Sequence, residues 1–280
     1  MTNDFIFFIK RLLNFLYRKN PLKLNSFRAK PEFLIIGAMK AGTTYAFNLL
    51  RQHPDLRLPK EKEIDFFDIN YVEGVNWYKY QFPFNFRKNK KTGEATPYYL
   101  YHPLAAERAY KFNPNFKIII FLRNPVNRSI SHYNFIKNMK NMVPFSDILG
   151  IGDLEISNQE LIEKDLINGK IKSSLIHRNF SFLRRSLYLY QIERWEKHFK
   201  KENFIFIKSE EFYKNPLKEI NRVFNFIGVK ELDYLDLSVY KHETKNNEKL
   251  QPYISSYLKE YYKQSNYDLE KHLNVKFNWN

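Results

Sequence analysis

The sequence predicts an α/β fold, a three-layer sandwich with a central, mainly parallel sheet and helices on both faces. Three short apolar runs support this prediction, namely Phe33–Ile36, Lys117–Leu122 and Phe204–Ile207. They are rich in β-branched and aromatic residues, as expected of strands that are covered on both faces of a parallel sheet. Helical periodicity follows each run along the chain. The length of 280 residues suffices for one large domain or two small ones.

The composition narrows the classes of function before any motif is considered. The chain contains no cysteine, which excludes a disulfide framework and a cysteine-ligated metal site. Its formal net charge is +16 at pH 7. A basic balance of this size indicates a polyanionic partner such as nucleic acid, an anionic membrane surface or an acidic glycan. A generally basic surface without any partner is the alternative.

Residues 1–30 read as a basic amphipathic segment and linker that precede a domain of residues 31–280. Seven basic residues and one acidic residue, Asp4, fall in this segment. Within residues 4–19 the apolar positions recur at helical spacing, and the run is too short to span a bilayer. We expect this helix to lie on an anionic membrane surface, or else to pack on the domain or on a partner. The lack of a small-residue cleavage site argues against a signal peptide, so we expect a cytoplasmic protein that can be peripheral to a membrane.

The first apolar run leads into a P-loop-like segment. Gly37 and Gly42 bracket a tight loop, and Thr43 can start the helix that follows. A strand, a glycine loop with a lysine and a helix N-terminus together form a phosphate cradle. Backbone N–H groups and the helix dipole meet the anion, Lys40 adds a full charge, and Thr43 and Thr44 add hydroxyl donors. An ordinary strand-to-helix turn with an exposed lysine is the alternative.

The spacing of this loop differs from that of nucleotide triphosphatases, in which the lysine follows the second glycine. Here Lys40 comes two residues before Gly42. The run Lys-Ala-Gly-Thr-Thr after a hydrophobic strand resembles the 5′-phosphosulfate loop of sulfotransferases, which use 3′-phosphoadenosine 5′-phosphosulfate (PAPS) as donor. That resemblance implies that the donor is bound by Lys40, Ala41, Gly42, Thr43 and Thr44.

A second anion-binding pattern follows the second apolar run. Arg123 stands at the predicted carboxyl end of that strand, and Ser131 comes eight residues later. Ligands gather at the carboxyl ends of parallel strands, and a planar guanidinium can hold two phosphate oxygens at once. Taken alone, the pattern could be a helix cap with an ordinary salt bridge. It resembles the 3′-phosphate motif of sulfotransferases, which implies that Arg123 and Ser131 bind the donor.

A dense cluster of charges at residues 60–68 leads directly into the pair Phe66 and Phe67. By itself the cluster could be a solvated charge run. The pattern Lys-Glu-x-x-Phe-Phe is similar to the site of glycan sulfotransferases of the heparan sulfate type. This likeness implies that Glu63 is the general base. Those enzymes often carry histidine at the position of Asp65, so the surroundings of the base differ here.

Two further positions bear on the resemblance. Animal glycan enzymes carry a lysine where this chain has Ala95, so one cation of the family is missing, and Lys40 or Arg51 would have to serve instead. Near the C-terminus, the polar stretch around Lys245 resembles the family's late loop over the nucleotide. The likeness implies that Lys245 contacts the nucleotide, although an exposed lysine is equally consistent with the sequence.

The remaining helices are predicted from periodicity and capping residues. The first is a short helix between Gly74 and Phe82, with Trp77 and Tyr78 mainly in the core, and the next is opened by Pro103. An amphipathic helix then runs from Tyr188 to Phe199, and a further helix is capped by Asn215 and Pro216 and ended by Gly228. Two closing helices are predicted at Tyr253–Tyr262 and Tyr267–Leu273.

Taken together, the motifs resemble those of PAPS-dependent sulfotransferases, in particular the heparan sulfate-type enzymes and their bacterial relatives. The resemblance implies sulfuryl transfer to a hydroxyl or amine of an acidic or neutral saccharide, without a metal. Glu63 would take the proton of the acceptor, and Lys40 would stabilise the leaving phosphate. No nucleic acid partner is expected, and the abundance of Lys, Asn, Ile, Phe and Tyr suggests a microbial source. A P-loop kinase and a non-catalytic polyanion-binding module are the alternatives.

Overall fold

The computed structural model describes residues 27–84, 90–137, 152–239 and 252–279. In these ranges four strands form a single sheet in which every neighbouring pair is parallel. The strands are β1 (Phe33–Gly37), β2 (Gly93–Ala95), β3 (Lys117–Leu122) and β4 (Phe204–Lys208), and their order across the sheet is β2-β1-β3-β4. The α/β fold with a parallel sheet is therefore confirmed.

The helices lie between and after the strands. In chain order they are α1 (Thr43–Leu50), α2 (Val75–Tyr80), α3 (Ala105–Phe112), α4 (Pro125–Lys137), α5 (Gly152–Ile167), α6 (Leu175–Asn179), α7 (Tyr188–Glu196), α8 (Ser209–Lys214), α9 (Pro216–Ile227) and α10 (Pro252–Leu273). Short 3-10 turns occur at Tyr71–Glu73, Arg184–Ser186, Lys201–Asn203 and Leu237–Val239.

The two central strands are buried along almost their whole length. Every residue of β1 is buried, and in β3 only Lys117 reaches the surface. Strands that are covered on both faces are continuous apolar runs rather than alternating ones, which explains why the sequence predicted both. Because neighbouring parallel strands run the same way, the residues that leave β1 and β3 emerge at the same edge of the sheet.

The edge strand β2 was not predicted. It has only three residues and includes a glycine, so it offers too little periodicity to be recognised. Gly93 lies opposite Phe33 in the ladder, and a Cβ atom at Gly93 would come within 2.4 Å of the Phe33 backbone oxygen. Only glycine fits this close approach. The strand therefore brings the residues after Gly93 against β1.

Three helix predictions need correction. The two predicted closing helices are the single helix α10 of 22 residues, because the intervening residues include neither glycine nor proline to interrupt it. Helix α3 begins at Ala105, two residues after Pro103. Asn215 occupies the N-cap position of α9 without a side-chain capping hydrogen bond, whereas Gly228 ends that helix as predicted, with φ of 71°.

Two predictions fall outside the described residues. They are the amphipathic helix at residues 4–19 and the nucleotide contact at Lys245. Among the helices that the structure describes, none is both long and apolar enough to cross a membrane.

Candidate functional site

The loop between β1 and α1 forms the floor of the candidate site. Gly42 is the N-cap residue of α1 with φ of 98°, a conformation that glycine adopts readily. Lys40 also has a positive φ, of 69°. The first N–H groups of an α-helix have no partner within the helix, and the helix dipole favours an anion there. The backbone at Thr43 and Thr44 is therefore suited to binding a phosphate or sulfate group.

Two side chains from other strands fix this loop. Arg123, directly after β3, donates from Nη1 to the backbone oxygen of Lys40 at 2.9 Å. Ser209, directly after β4, donates from Oγ to the backbone oxygen of Ala41 at 2.7 Å. The two predicted donor motifs therefore lie side by side, because β1 and β3 are neighbours in the sheet.

The ammonium group of Lys40 lies over the ring of Phe135, 4.4 Å from its centroid. Phe135 is on α4, one turn after the buried Ser131. Burial, followed by the charge of Arg123, lowers the pKa of Lys40 to about 8, while the charge of Glu63 opposes this shift. Lys40 is thus mainly protonated at neutral pH, in a site that also contains Arg123 and Glu63.

Glu63 lies at the rim of the site. Its side chain is 46% exposed and forms an ion pair with Lys62. The backbone has φ of 61° at Glu63 and 54° at Asp65, and the Glu63 N–H donates to the backbone oxygen of Ala95 at 3.0 Å. The half-exposed carboxylate of Glu63, beside the ammonium group of Lys62, is accessible to the hydroxyl or amine of a substrate.

Asp65, two residues after Glu63, pairs with an arginine that the motifs did not reveal. Nη2 of Arg178 lies 2.8 Å from Oδ2 of Asp65. Burial raises the pKa of Asp65 although Arg178 opposes the shift. Arg178 comes from the short helix α6, in a part of the sequence that showed no motif. Only the packing of α6 against the Glu63 segment brings the two charges together.

Arg51, one of the two cations expected to compensate for Ala95, bonds to backbone oxygens. Ala95 is fully buried in β2. Arg51 donates from Nη2 to the backbone oxygen of Pro59 at 2.9 Å and also to that of Lys60, so it supports the segment that leads to Glu63. Of the two proposed substitutes, Lys40 is the one in the phosphate-loop site.

A buried arginine lies behind the phosphate loop. Arg185 is 2% exposed and donates from Nη1 to the sulfur of Met39 at 2.8 Å. Its Nη2 donates to the backbone oxygen of Arg178 at 2.7 Å. Burial lowers the pKa of Arg185 to about 10, so it is charged at neutral pH. Only the packing of Arg185 against Met39 places this additional positive charge behind the loop.

Comparison with known proteins bears directly on this geometry. The chain matches the family described as "Sulfotransferase domain" over residues 30–278. "Membrane-associated sulfotransferase kil1" of Dictyostelium discoideum is 28% identical, over 89% of this chain and 66% of its own length. "Heparan sulfate glucosamine 3-O-sulfotransferase 3B1" of Mus musculus is 30% identical, over 77% of this chain and 50% of its own length.

A solved structure shares most of the fold. The sulfotransferase from Alicyclobacillus acidocaldarius superposes with a TM-score of 0.73 and 26% sequence identity. The superposition covers 90% of this chain and 99% of that chain. The present chain therefore matches nearly the whole of the bacterial structure, but only about half to two thirds of the length of these two relatives.

Proposed function

The chain belongs to the sulfotransferase domain family, and from that premise we propose that it transfers a sulfuryl group from PAPS to a hydroxyl or amine of a saccharide. The observation that carries this proposal is the convergence of the β1–α1 loop, Arg123 and the Glu63 turn at the carboxyl edge of the sheet. Arg123 donates to the backbone of Lys40, and Glu63 is close enough to affect the pKa of Lys40. Anion-binding groups and a candidate base thus share one site.

The chemistry of these side chains suits the donor. Lys40, the first N–H groups of α1 and the hydroxyls of Thr43 and Thr44 would hold the 5′-phosphosulfate. Arg123 and Ser131 would hold the 3′-phosphate, because a guanidinium and a hydroxyl are both good donors to phosphate oxygens. We also assign Lys245 to the nucleotide, on the family likeness of its loop.

In the proposed reaction Glu63 acts as general base. Its carboxylate accepts the proton as the acceptor oxygen or nitrogen forms a bond to sulfur. The bond between sulfur and the bridging phosphate oxygen breaks, and its electron pair leaves with adenosine 3′,5′-bisphosphate. Protonated Lys40 and the N–H groups of α1 stabilise the charge that develops on that oxygen, and such preorganised donors are usually the largest contribution to catalysis. The scheme assigns no role to a metal.

The saccharide acceptor is supported by the mouse relative, which is named a heparan sulfate glucosamine 3-O-sulfotransferase. The net charge of +16 would favour an acidic glycan over a neutral one.

We further propose a domain at residues 31–280 and a peripheral contact of residues 4–19 with an anionic membrane surface. The seven basic residues of the N-terminal segment and the membrane association in the name of the Dictyostelium relative support that contact.

The donor is tested by calorimetric titration with adenosine 3′,5′-bisphosphate. We expect binding to the wild type, loss of binding in Arg123→Ala, and retention in Arg222→Ala. Arg222→Ala is a matched control because it also removes one arginine charge, but from the surface of α9, where Arg222 pairs with Glu219. No binding to the wild type would contradict the sulfotransferase proposal. Binding of ATP–Mg²⁺ instead would indicate a kinase, and binding of heparin alone would indicate a polyanion-binding module.

The base is tested by Glu63→Gln. This variant should still bind adenosine 3′,5′-bisphosphate at neutral pH, because no contact between Glu63 and the donor is proposed. Sulfate transfer from PAPS to a partially desulfated heparan sulfate should fall by about 10²–10⁴-fold, the usual contribution of a general base. Wild-type transfer rates in Glu63→Gln would remove Glu63 from the mechanism.

A further inference from the structure

The turn that carries Glu63 is held by hydrogen bonds from the chain segment that begins at β2. The Glu63 N–H donates to the Ala95 backbone oxygen, and the Asp65 N–H donates to Oγ1 of Thr96 at 3.4 Å. The next two N–H groups, of Phe66 and Phe67, both donate to the hydroxyl oxygen of Tyr99, at 2.8 and 3.3 Å. Four backbone N–H groups of the turn are thus hydrogen-bonded to acceptors in residues 95–99.

Tyr99 can accept both bonds only if its own proton points elsewhere. A tyrosine hydroxyl has one proton to donate and oxygen lone pairs to accept with. The Tyr99 hydroxyl donates to Oε1 of Glu94 at 3.0 Å. Glu94 therefore determines the direction of the O–H bond and leaves the lone pairs of Tyr99 facing the turn.

Glu94 is itself a buried carboxyl group, only 1% exposed. It accepts three hydrogen bonds from hydroxyl groups, including one from Tyr78 at 2.6 Å and one from Thr96 at 2.8 Å. Burial raises the pKa of Glu94 to about 7, against the effect of these donors. A buried carboxyl group is costly unless it is hydrogen-bonded, and these hydroxyl groups supply the bonds.

We propose that Tyr99, oriented by Glu94, is a positioning residue for Glu63. The proposal rests on the function proposed above. Positive φ angles at residues other than glycine persist only where the surroundings enforce them, and the turn has two, at Glu63 and Asp65. Without the Tyr99 hydroxyl, two N–H groups of the turn lose their acceptor and the turn relaxes. A displacement of about 1 Å in a catalytic group can cost about 10²-fold in rate.

The chain offers a matched pair of variants for the test. Tyr78 and Tyr99 are both fully buried, and both donate to the same Oε1 atom of Glu94. Of the two, Tyr99 accepts the N–H groups of Phe66 and Phe67. Tyr78→Phe and Tyr99→Phe thus each remove one buried hydroxyl from Glu94, but only the second variant releases the turn.

The first measurement is sulfate transfer from PAPS to partially desulfated heparan sulfate. We expect kcat of Tyr99→Phe to fall by about 10–100-fold, with KM for PAPS and the affinity for adenosine 3′,5′-bisphosphate close to wild type. Tyr78→Phe should keep kcat within about twofold, because the turn stays bonded. Equal losses of kcat in the two variants would reduce Tyr99 to a structural role and overturn the proposal, as would a wild-type kcat in Tyr99→Phe.

The second measurement does not depend on activity. Amide hydrogen exchange at Phe66 and Phe67 should become faster in Tyr99→Phe and stay slow in Tyr78→Phe. If the wild type neither binds the bisphosphate nor transfers sulfate, the proposed function fails, while exchange still decides whether Tyr99 holds the turn. Unchanged exchange in Tyr99→Phe overturns the positioning role. If that variant does not fold, Glu94→Leu replaces it, because leucine cannot accept the Tyr99 hydroxyl proton. Faster exchange and lower kcat are expected, and wild-type values would contradict the proposal.

Discussion

Among individual side chains, Lys40 limits the conditions under which the proposed site can bind its donor. Its ammonium group is desolvated by burial and repelled by Arg123, and its pKa is lowered to about 8. The charge that stabilises a bound phosphate is therefore present below that pH and is lost above it. An exposed lysine would keep its charge to about pH 10.

This titration predicts that affinity for adenosine 3′,5′-bisphosphate falls as the pH rises from 7.5 to 9.5, approaching about tenfold per pH unit above the pKa of Lys40, because binding must then add a proton. Lys40→Arg should bind with a flatter profile, because a guanidinium stays charged throughout this range. Calorimetric titrations at several pH values measure both profiles. Identical slopes in the two proteins would show that another group titrates.

The side chains around Glu63 and Lys40 differ in how far they could be predicted. Lys40, Glu63 and Arg123 stand in recognisable motifs at fixed distances from predicted strands. Phe135 and Arg178 stand in none, since each contacts the site only because its helix packs there. The first three were therefore found as candidates from sequence, and the other two required the structure.

Among the elements, the connection from β1 to α1 depends most on a single glycine. Gly42 has φ of 98°, and a Cβ atom there would lie 3.1 Å from the Tyr213 hydroxyl and 3.4 Å from the ring of Phe212. Phe212 is fully buried. An alanine at residue 42 would strain the left-handed backbone and crowd the Tyr213 hydroxyl, and relief of that strain would move the loop that carries Lys40.

We expect Gly42→Ala to bind adenosine 3′,5′-bisphosphate at least about tenfold more weakly and to lose about 1–2 kcal/mol of unfolding free energy, the usual cost of a positive φ for alanine. Gly169→Ala is the matched control. Gly169 also has a positive φ, of 71°, but a Cβ atom there meets no atom within 4 Å. It should be destabilised to a similar degree and bind normally. Equal affinities of the two variants would contradict this account of the loop.

For the molecule as a whole, hydrogen bonds just beyond β3 connect Asn124 to Glu210 and to Trp279, near the C-terminus. Asn124 follows Arg123, and its N–H donates to Oε1 of Glu210 at 2.8 Å. The indole N–H of Trp279 donates to Oε2 of the same Glu210 carboxylate at 3.3 Å. The side-chain Nδ2 of Asn124 donates to the backbone oxygen of Trp279 at 3.2 Å. The ring of Phe277 stacks on Trp279 with centroids 4.2 Å apart. The C-terminal residues thus support the predicted 3′-phosphate site.

Trp279→Ala should lower the free energy of unfolding by about 3–5 kcal/mol, as is usual for a buried tryptophan, and weaken bisphosphate binding through Asn124 and Arg123. Val275→Ala, at a 45% exposed position, should change stability by less than about 0.5 kcal/mol. Urea unfolding and calorimetry measure the two effects. Wild-type stability in Trp279→Ala would mean that the C-terminal residues do not support the sheet edge.

Local patterns in the amino-acid order sufficed for β1, β3 and β4, for the start of α1, and for the glycine-bracketed loop between β1 and α1. Continuous apolar runs and glycine spacing are properties of neighbouring residues, so they are legible before folding. Strand β2 was not predicted, because its three residues carry no periodicity. The continuity of α10 was not predicted either, because a helix continues wherever packing favours it. Only tertiary packing decided that Arg178 faces Asp65 and that Tyr99 supports the Glu63 turn. Those contacts join segments 32 to 113 residues apart, and no local pattern records them.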